Sequence, residues 1–292
     1  MSRDKHREFE IPTRFRRAIV LHLVKNYLYQ DAYRTPLLLG IHGPSGEGKT
    51  FQCEQLLREL NVKLFLLSGG QFESPDAGQP ARLVRTTYLN AGRAMEKGEC
   101  DLAVVMINDI DTGLGHWGEM VQYTTNRQSV FGELMHLVDY PTDVEGRITK
   151  RVPIIITAND LSKLYEPLVR AGRMTAVNWT PTIEEKISMV AGIFPELSIQ
   201  ECASLVASLE AFAQKSSALS LPVAAYSHLR VSLSDDFLWQ EIQERGPLSM
   251  LDLIRRGVKP KTHIRSDLGE IIEAGKALVR SGQFINHLQR TK

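Results

Sequence analysis

The sequence predicts an α/β fold, a parallel sheet flanked by helices with a smaller C-terminal helical domain behind it, and three observations carry that prediction. Short apolar runs alternate with helix-length stretches as far as Pro181. The runs are nearly free of charge, as strands buried on both faces must be. Beyond Pro181 the strand-like runs stop while helical periodicity continues.

The elements follow in chain order. "RFRRAIVLHLVKNYLYQ" places Phe15, Ile19, Leu23 and Tyr27 four residues apart, the spacing of an amphipathic helix leading into the first strand. "TPLLLGIHG", "NVKLFLLSGG", "DLAVVMIND", "RVPIIITAND" and "TAVNWTP" then read as five strands with helical patterns between them. After these, "TIEEKISMVAGIF", "SIQECASLVASLEAFAQ" and "DDFLWQEIQERG" read as helices. The tail "SDLGEIIEAGKALVRSGQFINHLQ" puts Leu268, Ile271, Ile272, Leu278 and Ile285 near one face behind a cap at Ser266 or Asp267. We expect an N-terminal segment over 1–35, a nucleotide-binding α/β domain over 36–180 and a helical lid and recognition domain over 181–292.

Composition excludes several classes. With 35 Lys and Arg against 34 Asp and Glu, the net charge of +1 gives no global attraction to nucleic acid or acidic membranes. Cys53, Cys100 and Cys202 stand alone, with no C-x-x-C pair and no histidine at ligand spacing, so neither a disulfide framework nor a zinc site is expected. The N-terminus lacks the apolar core of a signal peptide, and no run approaches the ~20 apolar residues of a membrane span. A soluble protein of the reducing cytoplasm is the expectation.

The first strand ends in "GPSGEGKT". Gly43-x4-Gly48-Lys49-Thr50 is the P-loop pattern, set between a strand and a helix as that loop requires. Residues Gly43, Pro44, Ser45, Gly46, Glu47 and Gly48 would wrap backbone N–H groups round phosphates, Lys49 would reach the β and γ oxygens, and Thr50 would ligate Mg²⁺. Phe51 follows on the helix, whose N-terminus adds partial positive charge.

The strand "AVVMI" delivers Asn108, Asp109 and Asp111 at its carboxyl end, where open α/β sheets bind ligands. Asn108 takes the place of the usual magnesium-shell Asp, and Asp109 that of the acid which orients the attacking water. Asn159, ending the next strand, is a candidate to position the same water, or else a turn residue. Arg170 and Arg173 in "PLVRAGRM" fall so late that a finger reaching into an adjacent subunit suits them better than their own phosphate; surface salt bridges are the alternative. Arg230 in "YSHLRVSL" offers a further phosphate contact from the lid.

In this order, Walker-type strands, Asn sensor, Arg pair and helical lid resemble the AAA+ ATPases. "GEGKTFQCE", "SGGQFESPDAGQPARLVRTTY", "INDIDTGLG", "VQYTTNRQSVFGELM", "YPTDV" and "RVPIIITANDLSKLYEPLVRAGRM" resemble more specifically Rubisco activase of the green-plant and cyanobacterial type. The resemblance runs from about Pro12 to Arg290 and weakens beyond Pro181. It implies a hexameric ring that uses ATP and Mg²⁺ to pull on Rubisco and release tight-binding sugar phosphates. It carries the family's P-loop onto Gly43 to Thr50, its Asn-Asp strand end onto Asn108 and Asp109, its sensor onto Asn159, its arginines onto Arg170 and Arg173, and its lid arginine onto Arg230.

In the family the loops after the second and third strands face the ring's pore. Here they hold Phe72 and the run Gly113, Leu114, Gly115, His116 and Trp117, where the two aromatics are candidates to grip a client; packing for Phe72 and loop anchoring for Trp117 are the alternatives. The C-terminal cysteine pair and the small-subunit-like domain of many members are not in this sequence, so redox control through such a pair is not expected. An activase-like motor for another client remains open. The net charge of +5 from Pro247 to Lys292 raises a nucleic-acid loader, but no helix-turn-helix signature accompanies it.

Overall fold

The computed structural model describes residues 10–29, 35–72, 76, 78–114, 124–215, 220–257 and 267–282. In chain order the elements are α1 (Thr13–Leu28), β1 (Leu38–His42), α2 (Lys49–Glu59), β2 (Lys63–Ser68), a 3-10 turn (Gly69–Phe72), α3 (Gln79–Glu96), β3 (Ala103–Asn108), α4 (Ile110–Leu114) and α5 (Thr124–Asp139). Then come β4 (Asp143–Val144), β5 (Arg147–Ile148), β6 (Ile154–Ala158), a 3-10 turn (Leu161–Lys163), α6 (Glu166–Val169) and β7 (Met174–Asn178). The last helices are α7 (Ile183–Ile193), α8 (Ile199–Lys215), α9 (Val223–Arg245), α10 (Pro247–Arg255) and α11 (Leu268–Arg280). Among the described residues no helix is long and apolar enough to cross a membrane.

Five strands form one parallel sheet in the order β2-β3-β6-β1-β7. Burial follows position in that order. The three inner strands are buried throughout except at His42 and Asn108, the carboxyl ends of β1 and β3. Helices on the faces cover Ile154, Ile155 and Ile156 completely, and each such side chain contributes about 1.5–3 kcal/mol by leaving water. The edge strands differ from the expectation of burial on both faces. β2 leaves Leu66 47% exposed, and β7 is buried only at Met174. An edge strand has one neighbour instead of two, so less of the molecule lies over it.

"EGRITK" supplies a two-residue hairpin turn between β4 and β5. Glu145 (φ 52°) and Gly146 (φ 75°) both adopt the left-handed region that a tight primed turn requires, and Asp143 Oδ1 accepts the Gly146 N–H at 2.9 Å.

Thr13–Thr180 forms one compact unit, and Met1–Pro12 with Pro181–Lys292 forms a second. In the first, α1 buries Phe15, Ile19 and Leu23 as its spacing requires. In the second, Val190, Phe194, Leu205, Leu209, Tyr226, Leu229, Ile271 and Val279 make a separate core. α7 opens with a capping box on Thr182 and Glu185, and α11 with one on Asp267 and Glu270. The stretches "YSHLRVSL" and "DDFLWQEIQERG" belong to one helix of 23 residues, α9. A buried ion pair ties its entry: Lys186 Nζ donates to Glu210 Oε1 at 2.7 Å, Ser220 Oγ at 2.7 Å and the Leu221 carbonyl at 2.6 Å. All three ammonium protons are thereby used. Ile285, expected on the α11 face, lies outside the described residues.

Candidate nucleotide site

β1, β3 and β6 end side by side, and their carboxyl ends carry most of the residues singled out in the sequence. The loop from β1 to α2 turns on three glycines with positive φ: Gly43 (149°), Gly46 (81°) and Gly48 (74°). Gly43 also has no room for a side chain, since a Cβ there would lie 2.1 Å from the Trp179 carbonyl oxygen. Trp179 is fully buried. Its backbone N–H donates to the His42 carbonyl at 2.6 Å, and its indole N–H to the Glu47 carbonyl at 2.9 Å. Phe15 meets its ring edge-on at 4.8 Å, and the Arg14 guanidinium lies 4.7 Å from its centroid. One residue, by its backbone and its indole, therefore braces both ends of the loop.

Pro44 and Ser45 are exposed on the turn and Glu47 is buried beneath it. Gly48, in the left-handed region, precedes the first residue of α2, so the unpaired N–H groups of that helix's first turn open onto the loop. Phe51, on that turn, is 52% exposed. Lys49 is buried and folds back: its ammonium donates to the Gly43 carbonyl at 2.8 Å, the Pro44 carbonyl at 2.9 Å and Asn159 Oδ1 at 3.2 Å. Burial pushes its pKa down, while Asp109, Asp111 and Glu47 hold it up. Asp109 is the counterpart. Burial pushes its carboxyl up, the Lys49 charge pulls it down and Asp111 adds to the rise.

Asp109 has φ of 49°, a strained value for a residue with a side chain. Three hydrogen bonds hold it there. Its N–H donates to Thr157 Oγ1 at 3.0 Å, and its carbonyl accepts from the Thr112 N–H at 3.0 Å and Thr112 Oγ1 at 2.7 Å. Gly69, after β2, lets the chain pass this carbonyl, because a Cβ there would approach it to 2.2 Å.

Thr157 is the residue that sequence reasoning missed, and Asp111, already placed at the strand end, has a bracing role there that the sequence did not show. The β3–β6 ladder ends at the pair Ile107 and Ile156. One step on, side chains take over. Thr157 Oγ1 lies 3.4 Å from Asn108 Oδ1 and 3.5 Å from Thr50 Oγ1. Asp111, fully buried, accepts the N–H groups of Asn159 at 3.1 Å and Asp160 at 3.2 Å on Oδ2. The signal for Thr157 was its place two residues before Asn159, which puts both on one side of the strand.

The other candidates lie elsewhere. Arg170 and Arg173 stand just before β7, whose Met174 pairs with Leu38 and whose Asn178 pairs with His42. They are therefore at the opposite end of the strands from the P-loop, roughly 16 Å away at 3.3 Å per residue. Arg170 is exposed; Arg173 donates to Asp139 Oδ2 and the Pro167 carbonyl, both at 3.1 Å. Arg230 is on α9 in the other unit, where both its terminal nitrogens meet the Glu196 carboxylate at 2.7 Å.

Phe72 is corrected as a gripping residue. Its side chain is 2% exposed and sits in the core with Leu67, Val84 and Ile110, so packing claims it. Gly113 and Leu114 lie in α4, while Gly115, His116 and Trp117 fall outside the described residues.

Residues 39–182 match the model of the ATPase family associated with various cellular activities (AAA). The chain is 38% identical over 293 residues to a ribulose bisphosphate carboxylase/oxygenase activase of Nostoc sp., covering 96% of this chain and 68% of that one. It is 35% identical over 293 residues to a chloroplastic activase of Chlamydomonas reinhardtii, covering 96% and 69%. Against an activase of Anabaena sp. it is 46% identical over 194 residues, 64% of this chain and 46% of the relative.

Proposed function

The chain belongs to the AAA ATPases and, among them, to the Rubisco activases, and on that premise we propose that it is an ATP-driven remodeller that releases inhibitory sugar phosphates from Rubisco. The observation that carries the motor half is the convergence of Lys49, Thr50, Asn108, Asp109 and Asn159 at three neighbouring strand ends. Lys49 gives up the Gly43 and Pro44 carbonyls to the β and γ oxygens of ATP. The P-loop amides and the start of α2 take the remaining phosphate charge. Asp109 orients the attacking water, and Asn159, already bonded to Lys49, fixes that water from the other side.

The residues present fit Mg²⁺. The Thr50 hydroxyl and the Asn108 amide oxygen, both beside the Thr157 hydroxyl, are hard oxygen donors, as is the carboxylate of Asp109, whose backbone N–H binds the same hydroxyl. Among the described residues no cluster of three or more His, Cys, Asp or Glu could cage a metal alone, and a nucleotide-borne Mg²⁺ needs none. Bound there, the ion would supply neutralisation of phosphate charge.

The working form is a homo-oligomeric ring, a hexamer. Arg170 and Arg173, too far from their own P-loop, act on a neighbour's nucleotide, and Arg230 closes over phosphate from the lid after leaving Glu196. The segment from Gly113 to Trp117 lines the pore and transmits the pull. The relatives named above all carry the activase name, and a different client gains no support from them.

The test is recovery of carboxylation by Rubisco inhibited with its own sugar-phosphate substrate, measured with this protein, ATP and a regenerating system. Recovery with the parent chain and none with Lys49→Ala is expected. No recovery by a chain that still turns over ATP would refute the client.

A further inference from the structure

We propose that Thr157 is a positioning residue, whose hydroxyl joins the Thr50 hydroxyl, the Asn108 amide oxygen and the Asp109 backbone N–H in one hydrogen-bonded chain that orders the site's oxygen donors for the nucleotide's divalent cation. The inference rests on the reading of the site as a Mg²⁺-dependent ATPase and names what orders its oxygen donors.

A threonine is out of place in β6 unless its hydroxyl is used. The strand reads Ile-Ile-Ile-Thr-Ala with every residue buried, and Val would serve the sheet equally well. A hydroxyl in such a place costs about 1–3 kcal/mol if it finds no partner. Thr157 is fully buried and three groups surround its oxygen.

Hydroxyl chemistry decides the direction of each bond, since the group has one proton to give and two lone pairs to fill. The Asp109 N–H at 3.0 Å can only donate, and it occupies the first lone pair. Asn108 Oδ1 at 3.4 Å can only accept, and it takes the one proton. Thr50 Oγ1 at 3.5 Å must then donate its own proton into the second lone pair. The direction runs from Thr50 through Thr157 to Asn108, and no atom in it is left unmatched.

This order has three consequences. With its proton turned to Thr157, Thr50 presents lone pairs toward the phosphates. The amide of Asn108 is held with its oxygen, not its NH₂, on the Thr157 side, and the second lone pair of that oxygen stays open to metal-bound water. Asp109 is kept at its strained φ, which aims its carboxylate. An amide rotates between two near-equivalent faces, so an Asn in the place of an Asp needs such a device where a carboxylate would not.

Two substitutions and one conservative rescue test this. Thr157→Val should bind ATP in EDTA within about twofold of the parent, but need about tenfold more Mg²⁺ for half-saturation, the low end of what lost outer-sphere partners cost. The gain in Tm that Mg²⁺ adds to ATP should shrink in the same variant. In the nucleotide-free protein the Asp109 amide should exchange faster, a change that no loss of turnover would produce. Thr157→Ser should restore all three. If Thr157→Val does not fold, Thr157→Cys, which puts a poor hydrogen-bonding atom in place of the hydroxyl, should show the same Mg²⁺ shift. Parental Mg²⁺ dependence in whichever of the two folds overturns the proposal. A parent chain whose nucleotide binding ignores Mg²⁺ would overturn the metal reading itself, which separates the two failures.

Discussion

Replacing Asp111 by Asn should loosen the sensor strand and slow turnover without emptying the nucleotide site. The carboxylate is fully buried, and its Oδ2 holds the N–H groups of Asn159 and Asp160 at 3.1 and 3.2 Å. A hydrogen bond to a charged acceptor contributes about 1.5–3 kcal/mol and a neutral one about 1 kcal/mol. An amide oxygen at the same place therefore gives up about 1 kcal/mol per bond, about 2 kcal/mol in all. Alanine, which leaves both donors dry, should cost about 4 kcal/mol. For a unit of this size 2 kcal/mol corresponds to a fall in Tm of about 4–8 °C. Asn159 is one of the two residues so held, so kcat should drop about 10-fold to 100-fold as its amide drifts. ATP affinity, set by the P-loop, should change by less than about threefold, since the N–H groups that Asp111 holds belong to Asn159 and Asp160. Calorimetry and steady-state ATPase assays read both effects. A variant with parental Tm and parental kcat would refute the reasoning.

The same geometry sets three further outcomes. Arg173→Ala should lower turnover by about 10³-fold yet recover partly when mixed with Lys49→Ala subunits; no recovery in mixed assemblies would contradict a finger acting between subunits. His22, buried between α1 and the sheet, is held neutral with its pKa pushed down to about 3 by burial and by the Arg151 charge. Its folded pKa lies below the unfolded value, so this contribution is whole above about pH 6.5 and is lost as pH falls toward 3, at up to about 1.4 kcal/mol per pH unit. Urea unfolding at pH 7 and pH 5 should show the loss, and His22→Gln should flatten it. Lys186→Met should destabilise the helical unit by about 3–5 kcal/mol by leaving the Glu210 carboxylate unpaired, and adding Glu210→Gln should restore part of it in thermal melts.

Legibility in the sequence tracked how local each feature is. The P-loop is read from eight consecutive residues because its conformation is a property of three glycines and a helix start. The inner strands were legible because a strand between two neighbours is apolar over most of its length, as β1, β3 and β6 are before their carboxyl ends. Register was not. Only the pairing of β3 with β6 brings Asn108 beside Thr157, and only the pairing of β7 with β1 shows Arg173 to be a strand's length from the P-loop. For Phe72 the sequence left gripping and packing as alternatives, and local geometry decides: Gly69 lets the backbone pass the Asp109 carbonyl, and the turn then delivers Phe72 to the core.

The central claim is that hydrolysis at the Lys49, Asp109 and Asn159 site drives the release of a bound sugar phosphate. The most direct measurement is the rate at which labelled ribulose bisphosphate leaves inhibited Rubisco, with the parent chain and ATP, with the parent chain and ADP, and with Asp109→Ala and ATP. The account predicts fast release in the first case only, because the Asp109 variant retains ATP without turning it over. Equal release with ADP or with Asp109→Ala would contradict it.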